Sequence, residues 1–130
     1  VFPSGNVSIG STADTAKLAV GASGQFQVSD SGAVTIGGGT PIVQYISTTA
    51  GVSVTALAPA SCQVTTVSAT GANDGDSVAL GVPNALASSG DLVLFGWVSG
   101  PDTVSVRLCN MGAAAVDTAA GTVRVDVWKH

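Results

Sequence analysis

The stretch Asp91–Asn110, DLVLFGWVSGPDTVSVRLCN, constrains this chain more than any other. Leu92–Val98 is apolar at nearly every position, and Thr103–Cys109 alternates. In the second segment Val104, Val106 and Leu108 share one face, while Thr103, Ser105 and Arg107 share the other. Period-two alternation marks a half-buried strand; a continuous apolar run marks a strand covered on both faces. Ser99-Gly100-Pro101-Asp102 between them has turn chemistry, because Gly tolerates positive φ and Pro fixes φ. The chain is therefore expected to fold as a β-rich module. It must cover Leu92–Val98 twice: once with its own core, and again with a second sheet or a partner subunit.

Composition narrows the function classes. The chain has 130 residues, and only 9% are charged, against 45% hydrophobic. That is enough apolar material for a core, and too much for a disordered chain despite the Gly, Ser and Thr content. The net charge is −4, with no basic patch, which argues against nucleic-acid binding through phosphates. No apolar run approaches the ~20 residues of a membrane-spanning helix, so no membrane insertion is expected. Residue 1 is Val and no leader is legible, which reads as a piece of something longer or a processed product. Cys62 and Cys109 are read as free buried thiols, since Cys is among the most buried residue types; one bridge between them is the alternative.

Residues 1–40 differ from the rest. Gly5-Asn6-Val7-Ser8-Ile9-Gly10 returns as Gly32-Ala33-Val34-Thr35-Ile36-Gly37, with Ala16–Val20 and Gly24–Val28 between the copies. These are short alternating strands, too short to bury a core alone. The only helical hint is a turn over Thr12–Lys17. Gly37-Gly38-Gly39-Thr40-Pro41 then marks a boundary. Beyond it, strands are expected at Ile42–Ser47, Val52–Leu57, Cys62–Ala69, Ser77–Leu80, Leu92–Val98, Thr103–Cys109 and Thr122–Trp128. Turns are expected at Ala50-Gly51, Ala58-Pro59, Gly71–Asp76, Ser88-Ser89-Gly90 and Ala120-Gly121. In the last strand Val123, Val125 and Val127 should face in, and Arg124, Asp126 and Trp128 out. Such spacing predicts an antiparallel sandwich or jelly roll.

The run G-N-V-S-I-G-S-T-x-x-x-A-K-L-x-V, followed by G-x-F-x-V-S-x-x-G, resembles the stalk repeats of bacteriophage tail fibres and tailspikes. Residues 5–37 carry the resemblance. The same motif occurs in bacterial proteins of phage ancestry and in some trimeric surface proteins. The resemblance implies a homotrimer on the virion, outside the cell. Residues 1–40 would form a short intertwined stalk, and residues 41–130 a jelly-roll-like head that touches host-surface polysaccharide. Many such fibres end in a self-cleaving chaperone domain, of which this chain shows no sign. Two alternatives stand beside this one: a carbohydrate-binding module of a larger secreted enzyme, and a purely structural trimerisation cap.

Site chemistry is sparse. The single His130 is the last residue, so a Ser–His–Asp arrangement is not expected, and the chain is read as no enzyme, with no cofactor. Asn73-Asp74-Gly75-Asp76-Ser77 offers too few oxygens for calcium and lacks the spaced acidic ligand of an EF-hand, so it reads as a turn and no metal is expected. Tyr45 and Trp128 are the aromatic candidates for stacking on a sugar, with Asp74 and Asp76 as polar candidates beside them. Phe95 and Trp97, sharing a face with Val93, are read as core or subunit packing. If their strands pair, Arg107 with Asp126, or Arg124 with an Asp, is expected as a cross-strand ion pair.

Overall fold

A computed structural model describes residues 1–3, 5–9, 16–21, 25–88 and 91–130. Thr12–Thr15 and Ser89-Gly90, parts of an expected turn at each place, lie outside the described residues. Among the described residues the chain is all-β apart from one short helix. The strands are β1 Val7–Ile9, β2 Leu18–Val20, β3 Phe26–Val28, β4 Val34–Ile36, β5 Gln44–Val52, β6 Cys62–Ser68, β7 Ser77–Gly81, β8 Leu92–Gly100, β9 Thr103–Asn110 and β10 Gly121–Lys129; α1 is Asn84–Ala87. The chain divides into two compact units, residues 1–45 with His130, and residues 46–129.

The first unit is one four-stranded sheet in the order β1-β2-β3-β4. β1 and β2 run parallel; the remaining pairs are antiparallel. Each strand has three residues, so the sheet presents only three rows of side chains. The central row is Ser8, Ala19, Gln27 and Thr35. Ala19 is buried there, and Ala16 and Ala33 are buried beside the strands. A core built from alanines contributes little, because hydrophobic stabilisation scales with the apolar area covered.

The second unit holds two three-stranded sheets, β5-β10-β7 and β6-β9-β8. The chain changes sheet at every connection except the β8–β9 hairpin. Both sheets feed one core. Val123, Val125 and Val127 of the central strand β10 meet Val104, Val106 and Leu108 of the central strand β9, all fully buried. Val52, Val67, Leu92 and Val98 extend the core from the outer strands. The expected alternation of β10 is borne out: the three valines are buried and Arg124 is exposed. The sheets approach closely where β8 passes β7. A Cβ on Gly96 would lie 3.1 Å from Leu80 Cδ2 and 3.3 Å from Val78 Cγ1. Gly96→Val should therefore destabilise by about 1–3 kcal/mol through overpacking, read as a lower denaturant midpoint. An unchanged midpoint would mean that the sheets separate there freely.

Several local expectations are corrected. Ala50-Gly51 is not a turn but the end of β5, with open space around Gly51. Val52 ends β5, and the rest of the expected strand Val52–Leu57 is not one. Its backbone groups instead meet residues 116–118: the Val54 N–H donates to Thr118 Oγ1 (3.1 Å), the Ala56 N–H to Asp117 Oδ1 (2.6 Å), and Leu57 bridges Val116. Ala56 takes φ +45°, which a regular strand excludes. The four-residue helix α1 follows Pro83 and buries Leu86 completely. The β8–β9 turn is narrower than expected, with Asp102 at φ +58°, where Asp is tolerated. Asp102 also ties this turn to the chain after β6. Its carboxylate accepts the Gly71 N–H at 2.6 Å, and its own N–H donates to Ala72 O at 2.9 Å.

Cys62 and Cys109 are not free thiols. They stand directly opposite each other on β6 and β9 and form a disulfide, with Cα atoms 4.1 Å apart. The expectation of buried thiols failed because Cys62 opens an edge strand and is exposed. Burial statistics for cysteine carry no information about strand register.

Candidate functional site

Two sheet faces bear apolar side chains that the described residues leave uncovered. The first lies on the second unit. Opposite its core face, the sheet β6-β9-β8 carries three cross-strand rows. They are Cys62, Cys109 and Val93; then Val64, Arg107 and Phe95; then Thr66, Ser105 and Trp97. Period two along each strand puts these nine residues on one side. Val93 is 50% exposed, Phe95 46% and Val64 45%. The core half of the core-or-subunit expectation for Phe95 is therefore overturned. The inward face of β8 is already supplied by Leu92, Leu94 and Val98, and pleating sends Phe95 and Trp97 the other way.

Arg107 is the centre of this face. Its guanidinium carbon sits 5.0 Å from the Trp97 ring centroid and 5.5 Å from that of Phe95. The two rings are 5.7 Å apart and tilted by 31°. Both rings are within cation–π range of the one guanidinium, on the same side of it. The expected ion pair with Asp126 does not form, because Asp126 is on β10, in the other sheet, where it accepts from Ser47 Oγ at 2.6 Å. Arg124 pairs with no Asp either; it lies opposite Gly81. Among the described residues the one ion pair is the exposed Lys17–Asp30 contact at 3.6 Å. Arg107 Nε is buried without a hydrogen-bond partner. Beside it, the buried Ser105 donates to Ser99 Oγ at 2.8 Å. The face is flat, and no enclosed pocket occurs among the described residues.

The second face belongs to the first unit. Cross-strand register aligns Val7, Leu18, Val28 and Val34 in one row and Ile9, Val20, Phe26 and Ile36 in another, on the same side of the sheet β1-β2-β3-β4. Eight apolar side chains thus share one small face. Ile36 is 66% exposed and Ile9 58%, and Val7 and Phe26 are exposed as well.

The residues chosen from sequence fall elsewhere. Tyr45 lies on β5 and is exposed, in the first unit. Trp128 points outward from β10, opposite Ser77, and is partly buried. Asp74 is exposed in the loop before β7. Asp76 commits a carboxylate oxygen to the Asn73 N–H at 2.8 Å, closing that loop as a turn with Gly75 at φ +90°. Lys129 Nζ fastens the same loop by donating to Gly71 O at 2.7 Å. Trp128 and this loop thus meet at one end of the β10–β7 pair, but the loop is held by backbone bonds and converges on no ligand. Phe95, Trp97 and Arg107 were the residues to single out. Their signal was the spacing of Val93, Phe95 and Trp97 at every second position, once the inward face had been filled by Leu92, Leu94 and Val98.

No known protein family, no curated protein and no solved structure matches this chain.

Proposed function

We propose that this chain is the stalk and head of a trimeric attachment protein of the bacteriophage tail-fibre or tailspike kind, carried on the virion outside the cell. Residues 1–40 form the stalk that joins three copies, and residues 41–130 form a β-sandwich head that docks on host-surface polysaccharide. The observation that carries the reading is the apolar face of β1–β4. Two rows of four side chains, with Ile9 and Ile36 more than half exposed, are stable in water only when something apolar covers them. Copies of the same sheet around a threefold axis supply that cover, and a closed symmetric arrangement leaves no face over. The surface disulfide supports the extracellular part of the reading, since such bonds persist in oxidising surroundings.

Sedimentation combined with circular dichroism tests the assembly. About three chains per particle are expected, with dissociation and loss of β signal coinciding under denaturant. The pair Phe26→Asp with Ile36→Asp should shift the particle to monomers, because each apolar side chain covered contributes about 1.5–3 kcal/mol per chain and each charge must be desolvated. A wild-type protein that is a folded monomer at micromolar concentration would sink the reading. A second reading is favoured by Val64 and Val93, exposed aliphatic side chains that have no polar handle for a sugar. In that reading the head face packs on sister chains and the module is a structural cap. Protection of the Phe95 and Trp97 side chains from hydroxyl-radical oxidation in the unliganded particle would decide for it.

A further inference from the structure

We propose that the outward face of β6-β9-β8 is a binding site for carboxylate-bearing sugars, with Arg107 as the carboxylate ligand and Phe95 and Trp97 as the stacking surface. The proposal deepens the attachment reading and rests on it for the presence of a polysaccharide. Its independent ground is the state of Arg107.

A guanidinium carries five N–H donors and cannot shed its charge. In this chain Arg107 has no carboxylate partner among the described residues, although Asp residues outnumber cationic ones two to one. Its Nε is buried, so the terminal Nη1 and Nη2 groups are the donors that a ligand on this face can reach. The two ring centroids lie 5.0 and 5.5 Å from the guanidinium carbon and restrict where the group can sit. A preorganised planar fork of this kind matches a carboxylate in bidentate fashion. The ligand is thus anionic, and its charge complements the one cation that the face offers.

The surroundings select the rest of the ligand. Phe95 is 46% exposed beside the guanidinium, and an exposed ring takes the C–H side of a pyranose while the sugar hydroxyls stay wet. Val93 and Val64 widen the apolar floor on either side. A flat sheet face without a pocket suits an extended chain of sugars more than a small enclosed molecule. A polysaccharide containing uronic or ulosonic acid residues meets each requirement: a carboxylate for Arg107, an apolar C–H face for Phe95, and repeated units for a flat surface. A free carboxylic acid meets only the first.

Oligogalacturonates and their carboxyl-reduced counterparts, probed alongside a matched array of other acidic and neutral oligosaccharides, test this with the full chain. Binding of at least one acidic glycan is expected, more than 10-fold tighter than its carboxyl-reduced form and weakening as salt rises. Arg107→Gln should abolish that preference, and Arg107→Lys should keep only part of it, because an ammonium lacks the fork. Phe95→Ala should weaken acidic and neutral binding alike. Each variant's melting temperature is read in parallel, so that loss of binding is scored only in folded protein. Equal binding of acidic and reduced forms would overturn the carboxylate assignment while leaving the attachment reading intact. Binding to no glycan at all would overturn both. A face already covered by a sister chain in the assembled particle would overturn this inference and leave the trimer standing.

Discussion

Asn110→Ala should cost the second unit about 2–4 kcal/mol, more than any other truncation of a polar side chain in the described residues. Asn110 is completely buried at the end of β9. Its Nδ2 donates to Leu57 O at 2.8 Å and to Ala114 O at 2.7 Å, and its Oδ1 accepts the Gly112 N–H at 2.9 Å. One side chain therefore satisfies three backbone groups in two loops, residues 53–58 and 111–116. Removing it takes the partner from Ala114 O and the Gly112 N–H, at about 1–3 kcal/mol each when buried, while Leu57 O keeps the Val116 N–H at 3.0 Å. Ala114 is exposed and Gly112 is half-buried, so water recovers part of the loss, which places the total below the sum of two full penalties. Asn110→Asp should be no milder, since it removes both donors and places a charge in the core. Urea unfolding measures the effect as a lower midpoint with an unchanged slope. A loss under about 1 kcal/mol would show that the two loops stand without their shared clamp.

The same residue marks where sequence reading stopped. β8, β9 and β10 were legible almost to their ends, because period-two alternation and turn chemistry are local signals. The sorting of β10 into buried valines and outward Arg124 was legible for the same reason. The loops that Asn110 holds were not. Val52–Leu57 alternates like a strand, but its hydrogen bonds go to Asp117 and Thr118 side chains more than sixty positions away. Periodicity has no way to register such a partner. The helix α1 is four residues long, below the length at which a helical period can be seen, and it forms because Leu86 fills a gap against Gly121, where a Cβ would lie 3.0 Å from Leu86 Cγ. The candidate site was half legible. The residues Val93, Phe95 and Trp97 were seen to share a face, but the face was assigned to packing. Arg107 lies within 5.5 Å of both ring centroids, a neighbourhood that follows from the β8–β9 register. That register becomes visible only when the hairpin is closed and Phe95 stands opposite Arg107.

The disulfide supplies the second large effect, and it acts on the unfolded chain rather than the folded one. Cys62 and Cys109 are 47 positions apart in sequence, and bridging a loop of that length removes chain entropy worth about 4 kcal/mol. The native register does not depend on the bond: β6 and β9 are paired over seven residues, from Cys62 opposite Cys109 to Ser68 opposite Thr103. The double variant Cys62→Ser with Cys109→Ser should therefore keep its β signal at room temperature and lose about 2–4 kcal/mol of stability. Its denaturant slope should rise, because an uncrosslinked unfolded chain exposes more surface. The bond also borders the proposed site, one row from Arg107 and beside Val93. Two roles are then separable by experiment. If the bridge only restrains the unfolded chain, the double variant binds acidic oligosaccharide as the parent does at temperatures where both are folded. If it also holds the face in shape, affinity falls while the β signal stays native. An equal midpoint for oxidised and bridge-free protein would show that the crosslink contributes nothing, and the entropy argument for this loop would be wrong.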